Sequence, residues 1–261
     1  MLASSVGEVL ALVPARGGSK SIPRKNVVPI MGKPLIAHTI EVAKKSRHVS
    51  RVVVTTDDSE IADISKSYGA EVPFLRPVEL AGDESLDIDF HLHAIQWLAK
   101  HEGYHADMII NLRPTTPTRR WETIDRAIET FHAHPEADSL RSVQLASETP
   151  FKMWFVNEQG FMSPVIMTAM GIREPFNYPR QKLPLVYWQN GYVDITKEET
   201  LLKKNSTTGD LVLPFIVQED TIDIDYEDEI EKVENKMKGG SVNTTQPPPK
   251  QSGAEKIRFP S

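Results

Sequence analysis

The sequence predicts an α/β protein with a doubly wound, mostly parallel β-sheet of the Rossmann-like kind. Short apolar segments alternate along the chain with longer segments in which apolar residues recur every three or four positions. The short segments are typical of buried parallel strands, and the longer ones of helices that cover a sheet with one apolar face. Their alternation indicates strand–helix–strand units with right-handed crossovers.

The apolar pattern places each element. Strands are expected at residues 9–13, 51–56, 72–75, 108–112, 140–143, 151–156, 192–195, 211–217 and 221–225. Helices are expected at residues 59–68, 86–100, 121–133 and 226–237, and a further helix should begin at Pro34. A proline is well placed there, because the first turn of a helix does not use its backbone N–H groups.

The composition limits the classes of function. The 261 residues are enough for one sizeable α/β domain, and a net charge of −6 argues against a nucleic-acid partner. The chain has no cysteine, which excludes disulfides, thiolate metal sites and cysteine nucleophiles. No apolar run approaches the roughly 20 residues that span a bilayer, and the start lacks a basic secretory leader. We therefore expect a cytoplasmic protein without a membrane partner.

Changes in the pattern suggest how the chain is organised. Residues 1–238 should form one domain, within which about 145–190 lack a long periodic helix and read as an inserted arm of β-ribbon and loops. Apolar residues in such an irregular segment often pack on a partner chain, so the arm predicts a homodimer. Residues 239–261 combine glycine, proline and polar residues and are predicted to be a disordered tail.

The first strand leads into a polar, glycine-bearing loop. The loop holds Gly17, Gly18 and Ser19, with Arg16, Lys20, Arg24 and Lys25 around them. Glycines let backbone N–H groups point at one anion, and the cations supply charge for phosphate oxygens. A loop at the carboxyl end of a first strand is also where open α/β sheets bind nucleotides. The spacing fits neither a Walker A motif nor Gly-x-Gly-x-x-Gly, and a lone Gly-Gly would more often be a basic surface turn.

The longer segment Ala15-Arg-Gly-Gly-Ser-Lys-x-Ile-Pro-x-Lys-Asn26 resembles the first motif of the sialic-acid-type cytidylyltransferases, the CMP-acylneuraminate synthetases and their relatives. These enzymes join a 2-keto sugar acid to CTP and release pyrophosphate. The resemblance continues in matching order over about residues 8–238. It implies a nucleotidyltransferase with CTP and a nonulosonate as substrates and Mg²⁺ as cofactor. It also implies catalytic roles for Arg16 and Lys25, and nucleotide binding by Ala15, Gly17, Ser19, Asn26, Arg76 and Ser85.

Two further motifs concern the base and the sugar. Arg76-Pro-x-Glu-Leu-Ala-Gly-Asp83 resembles the family's second motif, whose arginine faces cytosine, and a guanidinium fork can donate to cytosine O2 and N3. Taken alone, Arg76 would more often be a capping or ion-paired arginine. Leu112-Arg-Pro-Thr-Thr-Pro-Thr-Arg119 resembles Leu-Gln-Pro-Thr-Ser-Pro-Leu-Arg, but Arg113 stands where the family usually has Gln near the bound sugar. A cation there could pair with a sugar carboxylate or close part of the pocket, so the sugar is left open.

The segment Tyr178-Pro-Arg-Gln-Lys-Leu-Pro-x-x-Tyr-x-x-Asn-Gly191 resembles the family's fourth motif, beside the dimerisation arm. Basic residues of the arm reach the partner's active site in the family, and Lys152 and Arg180 match such positions. With Arg113 and Thr115 they form the sugar-binding set that the resemblance implies. Trp188 occupies a position where relatives can carry a basic residue, and it cannot neutralise phosphate charge.

Asp223 and Asp225 complete the predicted site. On a strand, residues two apart face the same side, so both carboxylates would lie together and favour a cation between them. Mg²⁺ prefers such hard oxygen ligands. An acidic strand end that caps the next helix is the alternative. For the whole protein, the alternatives are a KDO-type cytidylyltransferase and a catalytically inactive nucleotide-sugar binding protein, which Arg113 and Trp188 keep open.

Overall fold

The computed structural model describes residues 6–239, which form two compact units. The first unit comprises residues 6–144 and 187–239, and the second comprises residues 145–186. The predicted tail falls almost entirely on residues 240–261, which lie outside the described residues. No helix within residues 6–239 is long and apolar enough to cross a membrane.

A six-stranded sheet organises the first unit. Its strands are β1 (Val9–Pro14), β2 (Arg51–Thr55), β3 (Met108–Asn111), β4 (Ser139–Leu145), β5 (Tyr187–Lys197) and β6 (Val212–Ile216). They lie in the order β6-β4-β5-β3-β1-β2. Strand β1 is parallel to β2 and β3, β4 is parallel to β6, and β5 runs antiparallel to β3. The sheet is therefore mostly parallel, as the sequence predicts.

Helices cover both faces of this sheet. They are α1 (Leu35–Lys45), α2 (Ser59–Ser67), α3 (Asp87–Glu102), α4 (Trp121–His132), α5 (Glu198–Lys204) and α6 (Glu227–Met237). Alternate residues of β1 point to opposite faces: Val9, Ala11 and Val13 pack in a core with α1, α2 and α4. Leu10 and Leu12 pack in a second core with α3 and α5. This two-sided burial explains why β1 reads as a continuous apolar run, and it confirms the doubly wound fold.

Helix α6 closes the first unit near the polar loop. Its Val233 packs with Ile22 of that loop, with Ile30 and with Ile224. Ile30 belongs to a short antiparallel pair, Pro29–Ile30 with Lys33–Pro34, that leads into α1. Helix α6 is thereby held against the first loop.

Two predicted strands are wrong. Residues 72–75 form no strand, because Pro73 has no N–H to donate, and only Glu71 makes an isolated bridge to Val53. Residues 221–225 also run outside the sheet. There the amide of Ile224 donates to the carbonyl of Thr115 at 2.8 Å, so this segment crosses the loop after β3 and adds no strand.

The second unit consists of two short hairpins and three tight turns. The hairpins pair Trp154–Val156 with Met162–Pro164 and Thr168–Ala169 with Ile172–Arg173. The turns are Pro150–Lys152, Pro175–Asn177 and Arg180–Lys182. The strand predicted at 151–156 thus starts only at Trp154, because the Thr149 side chain accepts from the Phe151 amide and begins a 3₁₀ turn there. Large apolar side chains of this unit are exposed, among them Phe155, Phe161, Met167 and Leu185.

Candidate functional site

The predicted nucleotide loop and several polar segments meet at one end of the sheet. In the sheet register, Pro14 at the end of β1 lies beside Thr55, and Leu12 lies beside Asn111 at the end of β3. Because β5 runs antiparallel to β3, its Asp194 lies opposite Asn111 at the same end. This is the carboxyl end of the parallel strands, where α/β sheets place their ligands.

Gly17 lies close to the loop after β2. Its amide donates to Asp57 Oδ1 at 2.9 Å, and a Cβ at this position would lie 2.9 Å from a carboxylate oxygen of Asp58. A Cβ at Gly18 would meet open space. Asp57 was not among the predicted site residues, although two acids directly after a buried strand could have signalled it.

Asp83 binds two cations of the loop at once. Arg16 Nη1 donates to Asp83 Oδ1 at 2.8 Å and to the Gly82 carbonyl at 3.1 Å, while Lys20 Nζ lies 2.7 Å from Asp83 Oδ2. The two cations, Lys20 foremost, hold the pKa of Asp83 below its usual value. Within the loop itself, Asn26 Nδ2 donates to the Arg16 carbonyl at 3.0 Å. The segment that follows Arg76 therefore closes against the loop.

Lys25 links the first loop to the segment before α6. Its Nζ donates to the Ile224 carbonyl and to Asp225 Oδ1, each at 3.0 Å, and its side chain is 14% exposed. The amides of Asp225 and Tyr226 donate to the Glu229 carboxylate at the start of α6. The Asp225 side chain is therefore directed to Lys25, and Glu229 supplies the helix cap that was the alternative role for Asp225.

Asp223 lies beside the loop after β3. Its carboxylate accepts from the Thr116 hydroxyl. Burial, with a further contribution from the nearby Asp225, raises the pKa of Asp223 above its usual value. Two neighbouring carboxylates favour a cation between them. Mg²⁺ binds proteins through one or two carboxylates and keeps waters, so this donor set fits Mg²⁺. No larger cluster of acidic or histidine ligands occurs within residues 6–239.

Arg76 is 5% exposed and lies behind the end of β2. Its Nε donates to Thr55 Oγ1 at 3.1 Å and its Nη2 to the Thr55 carbonyl at 2.5 Å. The guanidinium carbon lies 5.0 Å from the ring centre of Phe90. Burial lowers the pKa of Arg76 to about 10, which still leaves it charged at neutral pH. The guanidinium group of Arg76 is thus held in one orientation by its contacts with β2 and α3.

Arg113 is held between two carboxylates that sequence reasoning missed. Its Nη2 donates to Asp87, the first residue of α3, and its Nη1 lies 3.4 Å from Asp194 on β5. Asp194 is 5% exposed, and Gln189 Nε2 also donates to it at 3.0 Å. The charge of Arg113 is met by the protein itself. A buried acid in the middle of an apolar strand was the available signal for Asp194.

Three buried polar atoms of β3 and β5 have no hydrogen-bond partner among the residues that the structure describes. They are Asn111 Oδ1, Asn190 Nδ2 and Asp194 Oδ1, and all three are buried. Leaving a buried polar atom unpaired costs about 1–3 kcal/mol, so such atoms mark places where a water or a ligand is accommodated.

Arg119 supports the loop that carries these residues. It is buried, and its three nitrogens donate to the Tyr192 carbonyl at 2.5 Å, the Thr39 hydroxyl at 3.2 Å and the Arg113 carbonyl at 3.0 Å. Burial lowers the pKa of Arg119 to about 10. The loop is thereby fixed to both α1 and β5, and its Thr115 carbonyl receives the Ile224 amide.

The structure brings most of the predicted site residues to this end of the first unit. Ala15 is buried there and its amide donates to the Thr55 carbonyl, while Ser85 donates to the Glu79 carbonyl at 3.3 Å. Ser19 lies on the loop itself. The residues of this group are Arg16, Gly17, Lys25, Asn26, Arg76, Arg113, Thr115, Asp223 and Asp225, with Ala15, Ser19 and Ser85.

Lys152 and Arg180 belong to the second unit, and both are exposed. Lys152 ends a 3₁₀ turn, and the Arg180 guanidinium donates to the Ser147 carbonyl within the same unit. Their contact with a sugar stays a prediction.

Fold and site together define a nucleotide-binding α/β protein with a cationic loop opposite a pair of carboxylates. Residues 10–208 match the family model described as "Cytidylyltransferase", and the chain belongs to this family. It is a nucleotidyltransferase of the CMP-acylneuraminate synthetase-like kind, which confirms the resemblance seen in the sequence.

Three bacterial relatives resemble the chain over most of its length. The chain is 33% identical over 220 residues to "CMP-N,N'-diacetyllegionaminic acid synthase" of Legionella pneumophila, covering 83% of this chain and 90% of that protein. It is 32% identical over 231 residues to "Post-translational flagellin modification protein B" of Campylobacter coli, covering 88% and 94%. To "N-acylneuraminate cytidylyltransferase" of Escherichia coli it is 29% identical, over 84% of this chain but only 49% of that protein.

A solved structure supports the fold. The structure of CMP:2-keto-3-deoxy-manno-octonic acid synthetase complexed with CTP matches with a TM-score of 0.65 at 20% identity, over 89% of this chain and 99% of that one. At this identity the likeness shows the architecture alone.

Proposed function

We propose that this protein activates a nonulosonate, a sialic-acid-like 2-keto sugar acid, with CTP to give a CMP-sugar and pyrophosphate. The observation that carries the proposal is the contact of Lys25 with Asp225 and the Ile224 carbonyl. This contact joins the glycine-bearing cationic loop to a pair of carboxylates about 200 residues away in the sequence, which supports a shared site for phosphate and metal. The names of the relatives, which include a legionaminic acid synthase and an N-acylneuraminate cytidylyltransferase, supply the class of sugar.

In the proposed reaction the anomeric hydroxyl of the sugar attacks the α-phosphorus of CTP in line. A bond forms between that hydroxyl oxygen and phosphorus, the bond to the bridging oxygen of the β-phosphate breaks, and the hydroxyl proton is released. Catalysis of this kind consists mainly of positioning and of charge stabilisation. Arg16 and Lys25 stabilise the charge on the phosphates, and Arg76 and Asn26 hold the nucleotide. Asp223 and Asp225 would hold Mg²⁺, which when bound would supply positive charge at the phosphate oxygens.

The contacts of Arg113 favour one of its two expected roles. Because Asp87 and Asp194 already meet its charge, Arg113 closes and shapes the pocket and leaves the sugar carboxylate to other groups. Nonulosonates differ in their hydroxyl and acylamino substituents. The unpaired atoms of Asn111, Asn190 and Asp194 supply acceptors and a donor of the kind that reads such substituents.

The active assembly is proposed to be a homodimer formed through the second unit. Its exposed apolar side chains include Phe155 and Phe161, whose exposed fractions are 63% and 72%. Exposed apolar patches of this kind mark interfaces between chains. Lys152 and Arg180 are proposed to act at the partner's site, as the family resemblance implies.

Pyrophosphate release measures the proposed reaction directly. The purified protein is incubated with CTP, Mg²⁺ and each of N-acetylneuraminate, N,N'-diacetyllegionaminate, pseudaminate and KDO. We expect release with at least one nonulosonate, none without sugar, and loss of the signal with a chelator. Release with KDO alone would instead establish the KDO-type alternative, and no release with any of the four sugars would contradict the proposal.

A further inference from the structure

Four donors of the nucleotide loop are met by acidic side chains of the protein. The Gly17 amide donates to Asp57, and Lys25 donates to Asp225. Arg16 and Lys20 both bind Asp83. These donors are the groups that would face the phosphates of a nucleotide. In the structure, carboxylates therefore hold positions that are chemically equivalent to phosphate oxygens.

Asp83 differs from the other two acids. Both of its oxygens are used, one by Arg16 at 2.8 Å and the other by Lys20 at 2.7 Å, so one carboxylate binds two cations. Its side chain is 45% exposed, and it lies in a loop outside any helix or strand. Asp57, by contrast, lies two residues after the end of β2 and accepts from a backbone amide of the loop.

An exposed carboxylate on a loop is easily exchanged. Surface ion pairs contribute little to stability, because the charges are screened and flexible side chains must be ordered. A triphosphate brings several negative charges to the same two cations and competes directly with Asp83. The Gly82 carbonyl also accepts from Arg16. The exchange would break this bond too, and would so free the segment between Arg76 and α3 from the loop.

We propose that Asp83 sets the affinity of the nucleotide site by occupying Arg16 and Lys20 until phosphate groups replace it. The proposal rests on the proposed function only in taking CTP as the nucleotide. Asp83 is in this sense an internal competitor of the triphosphate, and removing its charge tightens binding. A carboxylate that merely braces the loop would have the opposite effect, because its loss would loosen the two cations.

The test measures binding of inorganic pyrophosphate and of CTP by calorimetry at fixed Mg²⁺, without sugar. The Asp83→Asn protein is compared with the wild type, and Glu84→Gln is the control, because it removes the same charge from the next, exposed residue. We expect the dissociation constants of both ligands to fall about threefold to tenfold in Asp83→Asn, from the two exposed ion pairs that are lost. Glu84→Gln should change them by less than about twofold, as expected for a screened charge.

Weaker or unchanged binding in Asp83→Asn would overturn the proposal, and so would an equal gain in Glu84→Gln. If Asp83→Asn unfolds at a lower temperature, Asp83→Ser provides a second variant with the same expected gain. The result does not depend on the sugar. Absence of turnover with every nonulosonate would contradict the proposed function, whereas tighter pyrophosphate binding in the variant would still support the role of Asp83.

Discussion

The two sides of the site satisfy their polar groups in different ways. On the phosphate side, around the loop 16–25, the cations contact acids that are largely exposed, such as Asp83 and Asp225. On the inner side, formed by Arg113 and the ends of β3 and β5, the acid Asp194 is buried and three polar atoms of these strands stay unpaired within the described residues. Exposed ion pairs exchange partners at little cost in free energy. An unpaired buried polar atom, in contrast, strongly favours a ligand group that supplies its missing hydrogen bond. We therefore expect the phosphate side to accept any triphosphate, and the inner side to select the second substrate.

The largest effect is expected on the phosphate side, from Lys25→Ala. Lys25 is nearly buried and fixed by two hydrogen bonds, so it is a preorganised charge beside the proposed phosphate position. Losing one such electrostatic contact typically costs about 10²–10³ in rate. We expect kcat to fall by that factor with every accepted sugar, as measured by pyrophosphate release. Circular dichroism should show an intact fold, and wild-type kinetics would remove Lys25 from the site.

A second large effect is expected from Asp225→Asn. This substitution tests whether Asp225 is a metal ligand or has only a structural role. The substitution removes the charge but preserves size, and the α6 cap depends on Glu229. If Asp225 holds Mg²⁺, activity should fall at least tenfold at low millimolar Mg²⁺ and recover in part with excess Mg²⁺ or Mn²⁺. Thermal stability should change little, because Asp225 is exposed.

Asp220→Asn is the matched control for that measurement. Asp220 lies in the same segment and pairs with Lys236, away from Lys25. It should retain near-normal activity at every Mg²⁺ concentration. Near-wild-type turnover of Asp225→Asn at low millimolar Mg²⁺ would remove the metal assignment.

The phosphate side was largely predictable from the sequence, and the inner side was not. The loop after β1 is recognisable in the sequence because glycines and cations follow a predicted strand. The α/β topology then determines where this loop lies. Asp87 and Asp194 carry no such local pattern, since their contact with Arg113 depends on how α3 and β5 pack. Asp223 and Asp225 were assigned to a strand because they alternate with isoleucines. Only Ile224 is buried there, and the segment is held by side chains and one carbonyl instead of a neighbouring strand.

A smaller and more selective effect is expected from Arg113→Gln on the inner side. The substitution leaves Asp87 and Asp194 without their shared cation, and Asp194 is buried. An unpaired buried group costs about 1–3 kcal/mol, so the pocket should rearrange around it. We expect KM for the sugar acid to rise about tenfold, the equivalent of 1.4 kcal/mol, while KM for CTP stays within twofold.

Arg120→Gln is the control for Arg113→Gln, because Arg120 is an exposed arginine that pairs with an exposed acid, Glu122. It should leave both KM values unchanged within about twofold, as an exposed pair contributes little. Equal changes in KM for CTP and for the sugar in Arg113→Gln would show that the two sides of the site are not separable in this way.

The smallest effect on nucleotide binding is expected from the second unit, through the double substitution Phe155→Ser and Phe161→Ser. Both rings are exposed on one hairpin, and burying them between two chains would stabilise a dimer by about 1.5–3 kcal/mol for each ring. We expect sedimentation at micromolar concentration to show a dimer for the wild type and a monomer for the variant. CTP affinity should stay within about twofold, because the nucleotide residues lie in the first unit. Turnover should fall further than binding if the partner's basic residues complete the sugar side.

The control is Leu202→Ser, an exposed apolar residue of α5 in the first unit, which should leave the dimer intact. A wild-type protein that sediments as a monomer would contradict the dimer, and a variant monomer with full turnover would place the complete sugar site within one chain.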